Sequence, residues 1–243
     1  MNLAEIAALL GLNLGLTLAA AAGLWALSLR RAGIGFVDAA WPLGMAALAG
    51  VTFLLTEADP VRKGLLLWLV ALWALPQAWR RLSRTARAVA DARYAAVAED
   101  LAARRGWRPA RIRLLLCFLP QGALIWLTSL PVQLGQVDFL PPVGWIGWTG
   151  AMLAVLGIGL EGWGALRLTA ARKTPAATAA MGWARRWLNR PDYLGDLAVW
   201  WGLFLIAAET GPGRWSLIGP VFLTWALARW AKTENPRRVS DGG

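Results

Sequence analysis

Residues 7–29 read AALLGLNLGLTLAAAAGLWALSL, a run without one charged side chain. About 20 consecutive apolar residues cross the hydrocarbon core of a bilayer as a helix, because a helix satisfies every backbone polar group within itself. The run is too long for a secretory signal and lacks both a basic leader and a clean small-residue cleavage site, so it reads as a span. Working outward, with the first span taken as 5–29, apolar runs recur near 34–56, 64–79, 113–134, 143–168, 193–210 and 215–231, giving seven spans. Composition agrees: of 243 residues, 58% are hydrophobic and 16% charged, and mean hydropathy is +0.48. The predicted fold is an all-α, polytopic membrane helix bundle, one domain over 1–234 with a flexible tail at 235–243 and no internal repeat.

The net charge of +11 sorts by loop. One set of connections holds Arg30 and Arg31, ten Arg from Arg80 to Arg113, six basic residues from Arg167 to Arg190, and four in the C-terminal stretch. The other set holds only Arg62, Lys63 and Arg214. The positive-inside rule therefore predicts an outside N-terminus and an inside C-terminus. Topology and contact with anionic lipid account for the basic charge, so nucleic acid is not an expected partner. Within the long inner segment, Thr85 to Arg105 has the composition of a helix lying on the membrane surface, while Gln133 to Pro142 reads as a plain outer connection. Many of the seventeen Trp fall near span ends as interfacial anchors; Trp41, Trp68, Trp73, Trp126, Trp163, Trp200 and Trp201 lie deeper, where helix packing is the expected role.

The chain contains no His and a single cysteine, Cys117, which removes the usual metal ligand, the usual general base and any internal disulfide. No metal site is expected. Ionisable groups inside spans are costly and mark functional sites by default, and three acids qualify: Asp38, Glu161 and Asp196. With the topology above, all three lie toward the cytoplasmic side, which suggests one shared cavity. Asp196 is expected in the first turn of its helix, where it either caps or meets a ligand; Glu161 either serves the site or pairs with Arg167. The helix entry Asn189-Arg190-Pro191-Asp192-Tyr193-Leu194-Gly195-Asp196 concentrates charge before an apolar run, and Arg185, Arg186 and Arg190 are candidate phosphate partners there. Tyr94 and Tyr193 sit in polar stretches and are candidate neutral proton donors. Gly157-Ile158-Gly159-Leu160-Glu161-Gly162 matches G-x-G-x-x-G but lacks a preceding strand, so it reads as close helix packing through small residues.

Several blocks, in order, resemble bacterial membrane proteins related to the C-terminal domain of steroid 5-alpha-reductases. They are Val37-Asp38-Ala39-Ala40-Trp41, Asp91-Ala92-Arg93-Tyr94, Gln121 through Ser129-Leu130-Pro131, Glu161, Asn189 to Asp196 with Trp200-Trp201-Gly202, and Gly219-Pro220. The similar region runs over about 34–230. In that family the pre-helix motif usually reads Arg-His-Pro-Asn-Tyr followed by a Gly and an acid. Here Pro191, Tyr193, Gly195 and Asp196 match, while Asn189, Arg190 and Asp192 stand in for Arg, His and Asn. After Glu161 the family commonly has an Asp and a Gln where this chain has Ala165 and Arg167.

The resemblance implies a bacterial inner membrane protein with NADPH bound on the cytoplasmic side, and reduction of a conjugated double bond in a lipid-like or steroid-like substrate, a hydrophobic small molecule entering from the bilayer. It implies cofactor contacts from Arg185, Arg186, Arg190, Asp192, Tyr193 and Asp196, and substrate contacts from Asp38, Glu161 and Tyr94. The pre-helix motif is also similar to one in membrane methyltransferases of the isoprenylcysteine type. S-adenosylmethionine is therefore the alternative cofactor, and a non-catalytic lipid-binding membrane protein is the alternative without one.

Overall fold

The computed structural model describes residues 1–29, 37–84, 106, 108–171 and 191–233, and all regular structure among them is helical. Helix α1 (Leu3–Ser28) starts at a reciprocal cap: the Asn2 side chain accepts from Glu5 N at 2.9 Å and the Glu5 carboxylate accepts from Asn2 N at 2.9 Å. Then come α2 (Val37–Leu55) and α3 (Pro60–Arg84). A longer rod follows, built from α4 (Pro109–Arg113), a π-helical turn (Leu114–Phe118) and α5 (Leu119–Thr128). Beyond it lie α6 (Leu130–Leu134), α7 (Trp145–Ala171) and α8 (Pro191–Ala207). A 3-10 turn (Pro212–Leu217) leads into α9 (Ile218–Thr233).

Three helical stretches, Leu3–Ser28, Ala110–Thr128 and Trp145–Gly164, are long and apolar enough to cross a membrane, and this marks a membrane protein. Ala39–Leu55 and Tyr193–Ala207 are apolar but shorter. Helix α3 shows how packing divides an apolar run. Trp68, Leu72, Leu75 and Trp79 recur on one face and are exposed, while Leu66, Leu69, Val70, Trp73, Ala74 and Gln77 are buried. The exposed face suits lipid; the buried face packs chiefly on α2 and also meets α7 and α8.

The closest helix pair is α7 with α8, and glycine sets its spacing. A Cβ at Gly150 would fall 2.5 Å from Gly202 O, and one at Gly157 would fall 2.7 Å from Gly195 O. Position numbers rise along one helix as they fall along the other, so the pair runs antiparallel with both contacts in register. Any larger residue would push the backbones apart. In the G-x-G-x-x-G stretch only Gly157 has this role, since nothing lies within 4 Å of a Cβ at Gly159 or Gly162.

Two expectations from the sequence are corrected. The expected span over 113–134 ends at Ser129, because Pro131 cannot supply an N–H to continue the helix and α6 starts afresh. The segment from Gln133 is no plain connection either: Gln133, Gln136 and Val137 are fully buried. The expected surface helix over Thr85 to Arg105 lies outside the described residues.

The other end of the α7–α8 pair is tied by charge. Glu209 accepts from Gly144 N at 2.9 Å and Gly147 N at 2.8 Å, capping α7, and receives the fully buried Arg62 at 3.5 Å. Arg62 also donates to Pro141 O. Gly157→Val should cost about 1–3 kcal/mol or more by overpacking, whereas Gly159→Ala should leave thermal melting in detergent essentially unchanged. Glu209→Leu should be more severe, about 3–5 kcal/mol, because it strands Arg62 in the interior; the same melts compare all three.

Candidate functional site

Where α3, α7 and α8 converge, two acids come together. Glu161 is one turn beyond Gly157 on α7, and Gly195 leaves room for its methylene chain, so the glycine contact seats Glu161 against the start of α8. Asp196 follows Gly195 directly. Glu161 is 5% exposed, which requires partners for its carboxyl group.

Helix α3 supplies them from three positions on one face. Trp73 Nε1 donates to Glu161 Oε1 at 2.7 Å and to Asp196 Oδ1 at 3.0 Å. One turn on, Gln77 Nε2 donates to Glu161 Oε2 at 2.7 Å and to Asp196 Oδ1 at 3.2 Å. Arg80 closes the set, its Nη2 lying 3.4 Å from Glu161 Oε2. Trp73 is held in turn by an edge-to-face contact with Trp200, ring centroids 5.4 Å apart. Pro76 lies inside α3 between Trp73 and Gln77.

Among the described residues the centre brings together two carboxyl groups and the Arg80 guanidinium, and Trp73, Gln77 and Arg80 donate to the carboxyls. Carboxylate oxygens suit a group presenting N–H or O–H rather than phosphate. Among the described residues no cluster of His, Cys, Asp and Glu could hold a metal ion.

Of the residues singled out by sequence, the structure unites Glu161 and Asp196. Glu161 pairs with Arg80 from a different helix, while the side chain of Arg167, its alternative partner, lies outside the described residues. Asp196 does not lie in the first turn: α8 begins at Pro191, so its N-terminal N–H groups are a turn behind, and side chains of α3 meet the carboxylate instead. Tyr193 is half-buried against the apolar core that includes Trp73 and Trp200. Asp38 lies in the first turn of α2 and Asp192 in that of α8, but their side chains are outside the described residues. Tyr94, Arg185, Arg186 and Arg190 also lie outside them.

Sequence reading missed Gln77 and Arg80 and gave Trp73 a packing role. The available signal was the spacing: Trp73, Gln77 and Arg80 fall at i, i+4 and i+7, placing an indole, an amide and a guanidinium in one helical row. A small cavity of about 60 Å³ between α1, α2 and α5, lined in part by Thr17, Ala21, Gly44, Phe118 and Gln121, shares no residue with the carboxyl centre.

The chain matches, over residues 24–238, the family described as Protein of unknown function (DUF1295), and it belongs to that family. Neither the search of curated proteins nor that of solved structures found a match.

Because Trp73 and Gln77 serve the same two carboxyls, their contributions should not add. Trp73→Phe and Gln77→Leu should each destabilise by about 1–3 kcal/mol, and a double-mutant cycle read by thermal or denaturant unfolding should give a coupling of at least about 0.5 kcal/mol.

Proposed function

We propose that this protein is a membrane-embedded NADPH-dependent reductase of a conjugated double bond in a lipid-like or steroid-like substrate. The observation that carries the reading is the buried Glu161–Asp196 centre, held by Trp73, Gln77 and Arg80 within an apolar helix bundle. Five polar side chains from three helices converging in an apolar interior are costly to assemble, and such sites in membrane proteins are functional by default. The resemblance of the ordered blocks taken together, from Val37–Trp41 through Asp91–Tyr94 to Asn189–Asp196 and Gly219-Pro220, to the steroid 5-alpha-reductase-related proteins supports the reductase class.

The proposed topology is seven spans with the N-terminus outside. The distribution of basic residues supports it, and in that topology the carboxyl centre would face the cytoplasm, where a soluble nucleotide has access.

A carboxamide offers two N–H donors and one carbonyl acceptor, and the carboxyl centre fits such a group: Glu161 and Asp196 would receive the N–H groups, with the Arg80 guanidinium facing the carbonyl. In this assignment Glu161 moves from the substrate side to the cofactor side. Arg185, Arg186 and Arg190 would hold phosphates, with Asp192 and Tyr193 at the polar parts between. Asp38 and Tyr94 remain for the substrate, Tyr94 Oη as the proton donor. Bound NADPH would supply the hydride, and the chain would supply orientation, exclusion of water and the proton.

Thermal stability of the detergent-purified protein tests the reading, since a ligand that binds only the folded state at 100 times its Kd stabilises by about 2.7 kcal/mol. NADPH should raise the Tm of the wild type. Glu161→Gln replaces one acceptor oxygen with a donor and should remove most of that rise, and NADPH oxidation with unsaturated lipids should fall with it. Stabilisation by S-adenosylmethionine instead would move the assignment to a methyltransferase. No shift with either ligand, confirmed by direct binding, would make this a non-catalytic lipid-binding member.

A further inference from the structure

Helix α3 meets the α7–α8 pair at two separated polar points. Near its start the fully buried Arg62 lies 3.5 Å from Glu209, whose carboxylate caps α7 through Gly144 N and Gly147 N. Further along, Trp73, Gln77 and Arg80 donate to the carboxyls of Glu161 and Asp196. The spacing between the two points nearly matches on all three helices. Arg62 and Gln77 are 15 positions apart on α3, Gly147 and Glu161 are 14 apart on α7, and Asp196 and Glu209 are 13 apart along α8 and the turn that follows it. At a helical rise of about 1.5 Å per residue each interval is about 20 Å. Helix α3 therefore runs alongside the pair, parallel to α7, with each polar point opposite its partner.

Between the two points the contact is apolar: Leu66, Val70 and Ala74 share a buried cluster with Ala154, Val199 and Leu203. Apolar contact is non-directional and by itself lets a helix settle a turn higher or lower. The carboxyl centre does not tolerate such a slip. Moved by four positions, α3 would present Leu69, Trp73 and Pro76 where Trp73, Gln77 and Arg80 now stand, leaving the buried Glu161 without its amide and guanidinium. A buried ion pair gains little stability over well-packed apolar residues of the same volume, and its best attested use is to specify register. Arg62 and Glu209 have that character, because a charge fully inside the bundle finds its partner at one height only. The helix from Arg62 to Trp73 contains no proline, and Pro76 comes after it. The position of Arg62 is thus carried to Trp73 through unbroken helix.

We propose that the buried Arg62–Glu209 pair is a register pin: it fixes the height of α3 along the α7–α8 pair and thereby sets Trp73, Gln77 and Arg80 on the carboxyls of Glu161 and Asp196. Arg62 and Glu209 are positioning residues for the carboxyl centre, acting from the opposite end of the same three helices.

The test reads the Trp73 indole with no ligand present, so its outcome is separate from that of the reductase reading. The full chain, isotope-labelled at the Trp indole nitrogens, is studied by NMR in detergent micelles, and Trp→Phe substitutions at 73, 25 and 201 identify three indole N–H resonances. Trp25 donates to Ala110 O, joining α1 to α4, and Trp201 donates to Thr224 Oγ1, joining α8 to α9; both serve as controls. Arg62→Met combined with Glu209→Gln removes both charges, strands no guanidinium, and keeps an oxygen for Gly144 N and Gly147 N. In this variant the Trp73 resonance should split or shift by more than its linewidth, while those of Trp25 and Trp201 stay at their wild-type positions. An unmoved Trp73 in a variant that melts cooperatively would overturn the proposal. Comparable shifts of all three resonances would overturn it too, since they would mean a general loosening of the bundle. If the double variant does not melt cooperatively, Glu209→Asp decides: it keeps both charges and shortens the tether by one methylene, so Trp73 should still shift relative to the two controls. An unmoved Trp73 there means that the height of α3 is set without Arg62 and Glu209, and the proposal fails.

Discussion

The backbone contact between α7 and α8 is the constraint on which the rest depends. Gly150 against Gly202 and Gly157 against Gly195 bring two antiparallel helices closer than any side chain would allow. In lipid no hydrophobic driving force separates helix from solvent, so close packing and interhelical hydrogen bonds must hold a bundle together. The glycines supply the first. By removing side chains they also create the space in which Glu161 reaches Gly195 and Asp196.

Once that spacing is set, the two ends of the pair carry different chemistry. At one end Glu209 caps α7 and neutralises Arg62, an arrangement in which every polar group of the carboxylate has a local task. At the other end the carboxyls of Glu161 and Asp196 face each other's donors, with Trp73 and Gln77 shared between them. Sharing is what a helix cap or a simple ion pair does not need. It gathers carboxylate acceptors in an apolar surrounding, and such acceptors are what recognise a donor-bearing ligand. Helix α3 contributes to both ends, through Arg62 near its start and Trp73, Gln77 and Arg80 further along, so it spans the distance between the two polar layers.

Much of this was legible in the sequence for plain reasons. Hydrophobic run length reports helices in a membrane directly, since the bilayer thickness fixes it. Glu161 and Asp196 stood out because charge inside an apolar run is rare and costly. The same logic failed for Gln77, an uncharged amide that gives no such signal, and for Trp73, whose indole reads as packing until an acceptor is placed beside it. It failed again at Gln133 and Gln136, where a polar stretch with Pro-Pro after it looks like a surface connection; burial there follows from where α6 is carried by the break at Ser129.

The sequence by itself determined the all-helical membrane class, most of the helix-forming runs, and two of the acids, because each is a property of composition along one segment. Tertiary structure alone decided that Glu161 and Asp196 share donors, that Arg80 accompanies Glu161, that Asp196 serves α3 rather than its own helix start, and that Arg62 is interior. Those facts depend on which faces of separate helices meet. Glycine spacing on α7 and α8 fixes that, and no single segment records it.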